Sequence, residues 1–287
     1  MLSVGSLFTG IGGIDLGLER AGMRVVWQAE SDDYCYAVLR KHWPDVPNYG
    51  DVRNIPGVRM VCPDLICGGF PCQPFSHAGK RQGTDDERWL WPEFARIVGL
   101  LEPRYVVVEN VPGLLAGHGG MGNVLGDLAA LGYDAEWDCI PASAVGAPHR
   151  RDRVWIVGYP HGEGESVVPV DAEASGLSCL VADTERSGLE GRGRRALRER
   201  AATGGGQREL QDSDERTVQP RRIWGRAPQA DSSGWWAAEP DVGRVAHGVP
   251  NRLDRLAALG NAVVPQVAEH IGRLIIEAEN ELRGVAV

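Results

Sequence analysis

Residues 2–13 read LSVGSLFTGIGG, an apolar run that stops on a glycine-rich loop. Leu2 to Phe8 has the composition of a short buried strand, Thr9 to Gly13 supply a turn, and an amphipathic helix is predicted from there to about Arg20. Tight turns use the same glycines, so the loop alone does not name a ligand. The unit repeats outward. Arg24 to Ala29 reads as a second strand ending at Glu30, and Asp33 to about His42 as a helix. Asp51, in YGD, is expected to follow a third strand. Asp64 to Cys67 reads as a buried strand, Pro92 to Leu101 as a helix, and Tyr105 to Val108 as a strand ending in Glu109-Asn110. The alternation continues through Val154 to Val157. Strands alternating with helices indicate an α/β protein with a mostly parallel, doubly wound sheet, whose ligands sit at the carboxyl ends of the strands. From about Pro160 to Pro250 the periodicity fades while Gly, Arg, Ser and Pro accumulate. Order returns at Leu253, and Ala262 to Leu282 has helical spacing. The expected organisation is a first domain over 1–159, a second, smaller irregular domain over 160–252, and a segment over 253–287 that returns to the first.

The chain of 287 residues has a formal net charge of −9 and a pI near 5.3, an average that argues against a nucleic-acid partner. Averages hide patches: between Arg186 and Arg226 there are 11 arginines against 6 carboxylates. That stretch either follows a phosphate backbone or is a solvated arginine-rich loop, and both readings stay open. No run approaches the roughly 18–20 apolar residues of a membrane span, and the N-terminus lacks a basic segment followed by a long apolar one, so no membrane partner and a cytoplasmic setting are expected. The six cysteines are scattered, which favours free thiols. Cys62, Cys67 and Cys72 are evenly spaced, but steps of five residues are not a zinc pattern, and no metal is expected.

Residues 68–76, GGFPCQPFS, place Cys72 between two prolines directly after two glycines. Proline fixes φ and glycine opens conformations closed to other residues, so this is one rigid turn that presents a thiol. Glu109, at the end of its strand, is expected beside that turn, and a thiol and a carboxylate converging at one sheet edge is a catalytic arrangement. A helix cap for Asn110 or an ion pair for Glu109 is the plainer alternative. Glu30, about twenty residues after the glycine loop, is placed to accept from ribose hydroxyls, and Asp51 from an adenine amine. Strand ends carrying such residues point to a nucleoside cofactor, although each carboxylate alone reads as a solvated loop residue. His149 to Arg153, HRRDR, is either a charged edge or a holder of phosphate or a polar base edge.

FTGIGG, Glu30, the Asp51 turn, GFPCQPFS, ENV at 109–111, the HRRDR stretch and LGNAVVP at 259–265 follow the order found in cytosine-C5 DNA methyltransferases, and the chain resembles that family over residues 1 to about 159 and 253–287. The resemblance implies a Rossmann-like methyltransferase sheet, with 160–252 in the place of the target-recognition domain. It implies that Cys72 attacks C6 of a flipped cytosine and that C5 then takes the methyl group of S-adenosylmethionine, leaving S-adenosylhomocysteine. Glu109 would contact N3 and the exocyclic amine, Asn110 would orient the loop around that carboxylate, and Arg151 and Arg153 would lie near the base. For the cofactor it implies Phe8 against the adenine, Gly10 and Gly13 beside the methionine portion, Glu30 at the ribose and Asp51 at the amine. Thr9, Ile11, Ser31, Val52, Pro71, Leu90, Asn261, Ala262 and Val263 would supply further contacts. Ser76 to Trp89 matches a loop that closes on DNA, with Ser76, Lys80, Arg81 and Arg88 reaching phosphates. His149 departs from the family's usual glutamine.

The implied partner is double-stranded DNA, with a cognate restriction endonuclease where the enzyme protects a genome, in a monomeric enzyme encoded by a bacterium or a phage. The same fold also has a tRNA-directed branch. A redox or hydrolytic role for Cys72 would leave Glu30, Asp51 and LGNAVVP unexplained. A non-catalytic DNA-binding relative would have no need of Cys72, Glu109, Arg151 and Arg153 together.

Overall fold

The structure is a computed structural model that describes residues 1–55, 60–71, 89–115, 120–161 and 252–284. Among these, six strands form one sheet: β1 (Ser3–Leu7), β2 (Arg24–Ala29), β3 (Leu65–Gly68), β4 (Tyr105–Asn110), β5 (Tyr133–Ile140) and β6 (Arg153–Pro160), in the spatial order β2-β1-β3-β4-β6-β5. The first four run parallel. β6 then lies antiparallel to β4, and β5 antiparallel to β6. Strand order reverses at β1, which has β2 on one side and β3 on the other.

The helices are α1 (Gly13–Arg20), α2 (Asp33–His42), α3 (Trp91–Leu101), α4 (Gly120–Ala130), α5 (Arg252–Asn261) and α6 (Pro265–Leu282). β4 explains the layering. Its YVVV run is apolar on both faces because both are covered. Val106 and Val108 join a core with Phe94, Ile97, Val98 and Leu101 of α3 and Val124 and Leu128 of α4. Tyr105 and Val107 join another with Ile14 and Leu18 of α1 and Val267, Ile271 and Ile275 of α6. Each such side chain taken fully out of water contributes about 1.5–3 kcal/mol.

α6 is held to the sheet by more than apolar contact. Buried Glu279 accepts from the Tyr105 hydroxyl at 2.7 Å and pairs with Arg104 at 2.9 Å. Along its first turns α6 lies on α1, where a Cβ at Gly17 would run into the Pro265 carbonyl oxygen.

Two sequence expectations are corrected here, and two elements are added. No strand precedes Asp51: Asn48 forms only an isolated bridge to Gln28, because Pro44, Pro47 and Gly50 break the run into a loop tied to β2 through Gln28 N–H to the Pro47 carbonyl at 2.9 Å. The β5 strand and α4 were not anticipated. YDAEWDCI intersperses acids among its apolar residues because β5 is an edge strand with residues 137–139 exposed. Cys35, Cys67 and Cys139 are free thiols as expected, but Cys62 is disulfide-bonded, a pairing set by distance in space that sequence spacing does not reveal. Cys72, Ser76, Lys80, Arg81 and Arg88, the last four expected to reach phosphates, and the arginine-rich 186–226 stretch lie outside the described residues.

Candidate active site

At the carboxyl ends of β1 to β4, where the strand order reverses, lies a cavity of about 600 Å³. Open α/β sheets gather ligands at such a switch point, since the loops on either side of it diverge. Its floor is the loop after β1. Phe8 takes φ 51°, Gly10 φ 58° and Gly12 φ 83°, three left-handed residues in five. Phe8 is the unusual member, because a Cβ makes this conformation costly. Thr9 fastens the loop to β2: its hydroxyl donates to the Ser6 carbonyl at 3.1 Å, and its N–H donates to the Ala29 carbonyl at 3.2 Å. Nothing lies within 4 Å of where a Gly10 Cβ would be, whereas one at Gly13 would sit 2.7 Å from the Val263 carbonyl oxygen. Gly13 is therefore explained by the chain that passes behind it.

Glu30 follows β2 and faces this loop. Its carboxylate accepts from the Gly10 N–H at 2.7 Å and the Asp32 N–H at 2.8 Å, and its own N–H donates to Asn48 Oδ1 at 3.0 Å. Asp51 caps the short turn Val52–Asn54 by accepting from the Arg53 N–H at 2.9 Å. The Arg53 guanidinium pairs with both oxygens of the same carboxylate and holds its pKa below the ordinary range.

The loop after β3 begins at Gly69, and Glu109 arrives from β4 across it. A Cβ on Gly69 would lie 2.6 Å from Glu109 Oε2. Glu109 is 8% exposed and pairs through Oε1 with Arg153 Nε at 2.9 Å. Burial raises its pKa to about 7, against the opposing pull of Arg153 and Arg151. It is a buried carboxyl poised to hold or release a proton near neutrality. Asn110 Nδ2 donates to the Phe70 carbonyl at 3.2 Å, and its Oδ1 accepts from the Val111 N–H at 2.8 Å, so it joins the end of β4 to the chain just before Cys72.

The cavity brings together every candidate cofactor contact read from the sequence: Phe8, Thr9, Gly10, Ile11, Gly13, Glu30, Ser31, Asp51, Val52, Pro71, Leu90, Asn261, Ala262 and Val263, with Glu109, Asn110 and Arg153 of the catalytic set. Arg151 is not in the lining; its guanidinium bonds to the carbonyls of Gly260 and Ala262. His149 is exposed. Sequence reasoning missed Arg53 and, on the wall made by α5, Asp254, Ala257 and Ala258, which line the cavity beside Asn261. Their spacing marks one helical face and was the available signal.

The model of the C-5 cytosine-specific DNA methylase family matches residues 2–178. The chain is similar to Type II methyltransferase M.HgiCII of Herpetosiphon aurantiacus, 37% identical over 158 residues, 53% of this chain and 36% of that protein. It is also similar to Type II methyltransferase M.BsuFI of Bacillus subtilis, 34% identical over 180 residues, 58% of this chain and 44% of that one. A solved putative DNA modification methyltransferase encoded within a prophage of E. coli is 28% identical with a TM-score of 0.46, covering 56% of this chain and 47% of the other. The matches to these two curated relatives thus take in less than half of their length.

Proposed function

The chain belongs to the C-5 cytosine-specific DNA methylase family, and on that premise we propose that it methylates C5 of a cytosine flipped out of double-stranded DNA, with S-adenosylmethionine as methyl donor. The observation that carries this reading is the buried Glu109 carboxyl, faced by Arg153, in the wall of the same cavity as Glu30 and Asp51. A proton-holding group and a pair of nucleoside-type acceptors share one site.

The residues present fit an adenosyl cofactor. The open space beside Gly10 admits a ligand close to the backbone, and Glu30 and Asp51 are acceptors suited to ribose hydroxyls and an adenine amine. Asp51 must first exchange Arg53, whose side chain is 63% exposed, so little is lost by releasing it to water. When bound, the cofactor supplies an electrophilic methyl group.

The chemistry assigned to the chain is nucleophilic. The Cys72 thiolate adds to C6 of the cytosine and makes C5 electron-rich. C5 takes the methyl group, its proton is then lost to a base, and the sulfur departs as the C5–C6 double bond reforms. Glu109, protonated up to about pH 7, donates to N3 as negative charge develops in the ring, a stabilisation greatest in the transition state. Arg153 keeps that carboxyl aimed. A stacked base is out of reach of such a pocket, so the cytosine is extruded at a cost of a few kcal/mol. The recognition region is assigned to 160–252, the partner to double-stranded DNA, and the setting to a monomer in a bacterial or phage-infected cell, alone or beside a restriction endonuclease.

The test is bisulfite sequencing of DNA from a methylation-free bacterial host expressing the intact chain or Cys72→Ser. Protected cytosines in one recurrent context, absent with the variant, are expected. Unprotected DNA from a host making folded, cofactor-binding protein would overturn the DNA target and direct the same assay to tRNA.

A further inference from the structure

The cavity wall formed by Asn261, Ala262 and Val263 is a break between two helices: α5 ends at Asn261 and α6 begins at Pro265. Breaks of this kind leave backbone carbonyls at the end of the first helix without intrahelical partners, and a partial negative charge accumulates there. Arg151 answers both. Its Nη2 donates to the Gly260 carbonyl at 2.7 Å and also to that of Ala262. At the next residue, Val263, Gly13 leaves no room: a Cβ there would lie 2.7 Å from the Val263 oxygen and 3.2 Å from its nitrogen. The break is thus held by a guanidinium and hemmed in by the first residue of α1.

The backbone of Arg151 bears this out. It takes φ 38°, a left-handed conformation that is costly for a non-glycine residue and persists only when surrounding contacts over-determine it. Two residues on, Arg153 turns to Glu109 instead. The two arginines divide the site between them.

We propose that Arg151 is a positioning residue for the adenosyl cofactor, shaping the 260–263 wall through its carbonyls, while Arg153 makes the direct ion pair with the carboxyl at the base end. This rests on the cofactor reading above. The experiment is calorimetric titration of the full chain with S-adenosylhomocysteine, for wild type, Arg151→Gln, Arg151→Lys, Arg153→Lys and Gly13→Ala. Arg151→Gln is expected to weaken binding about tenfold, the size of one charge-assisted hydrogen bond. It should also raise KM for the methyl donor while kcat recovers at saturation, a split that general loosening of the fold would not produce. Gly13→Ala, which displaces the same wall at Val263, should weaken binding similarly, and Arg153→Lys should leave it within about twofold while lowering kcat.

Unchanged affinity in a folded Arg151→Gln, or an equal loss in Arg153→Lys, would overturn the assignment. Should Arg151→Gln fail to fold, Arg151→Lys decides by the same criterion, since the shorter lysine side chain withdraws the donor from the two carbonyls that the single Nη2 of Arg151 bridges. A wild-type chain that does not bind S-adenosylhomocysteine at all overturns the cofactor reading and this inference with it. Normal wild-type binding with an unaffected Arg151→Gln overturns this inference alone.

Discussion

The reactivity of Glu109 is set by its surroundings more than by its type. Burial lifts its pKa to about 7 from an ordinary 4.5, and Arg153, then Arg151, pull it back. A step that needs the protonated carboxyl is fully served below that value and declines as pH rises through about 7. Turnover at saturating substrates, measured from pH 6 to 9, should carry this descending limb, and Glu109→Gln should remove it along with most activity. Arg153→Met, which deletes a charge favouring the ionised form, should move the limb to higher pH. Gly69 is a residue whose meaning only space reveals. In sequence it is one of two glycines before a proline-cysteine turn; in the fold its missing Cβ is the room in which Glu109 Oε2 sits. Gly69→Ala should cost about a hundredfold in turnover, the scale of an ångström's misplacement at a reacting group, while leaving S-adenosylhomocysteine binding measurable by calorimetry.

Elements covered on both faces or strongly amphipathic were legible. Arg24–Ala29 and Asp33–His42 fall where their apolar patterns predict, and YVVV reads as a buried strand and is one. Those that failed lacked such a signature. The edge strand β5 is interspersed with acids, and the run before Asp51 has strand-like residues but prolines that leave it one bridge. The packing of α1 on α6 was equally silent, since nothing in GIDLGLER says that its second glycine meets a carbonyl far along the chain. Gly17→Ala should force those helices apart, because the obstructing atoms are the Pro265 oxygen, the Ala268 Cβ and the Glu269 nitrogen rather than a flexible side-chain end. Overpacking of this kind costs about 1–3 kcal/mol, and thermal melting should show a midpoint lowered by about 2–4 °C for each kcal/mol in a chain of this size.

At the scale of the whole molecule, the buried carboxyls of Asp15 and Glu109 tie stability to pH. Asp15 is fully buried between β1, β2 and α1, accepting from the Ser6 hydroxyl and the Gln28 amide at 2.6 Å each. Burial raises its pKa from 3.8 to about 6, against those hydrogen bonds. A carboxyl whose folded pKa is raised contributes stability that is complete below its unfolded value and is lost as pH rises through the folded one. Asp15 therefore acts between about 4 and 6, and Glu109 between about 4.5 and 7. Urea midpoints should rise as pH falls from 8 to 5. Asp15→Asn should flatten its part of that rise, which by pH 5 is on the order of 1.4 kcal/mol because only about one unit of the shift lies between pH 6 and 5. The sequence by itself determined the alternating α/β plan, the strand-end positions of Glu30 and Glu109, and membership in a family, because periodicity and motif order are local properties that survive without coordinates. Only the tertiary structure decided that α5 walls the cavity, that Arg151 faces a helix break while Arg153 faces a carboxyl, and that Gly13 and Gly69 are clearances. Each of these is a contact between segments remote in the chain or across a loop, and such contacts follow from how the layers stack rather than from the residues on either side.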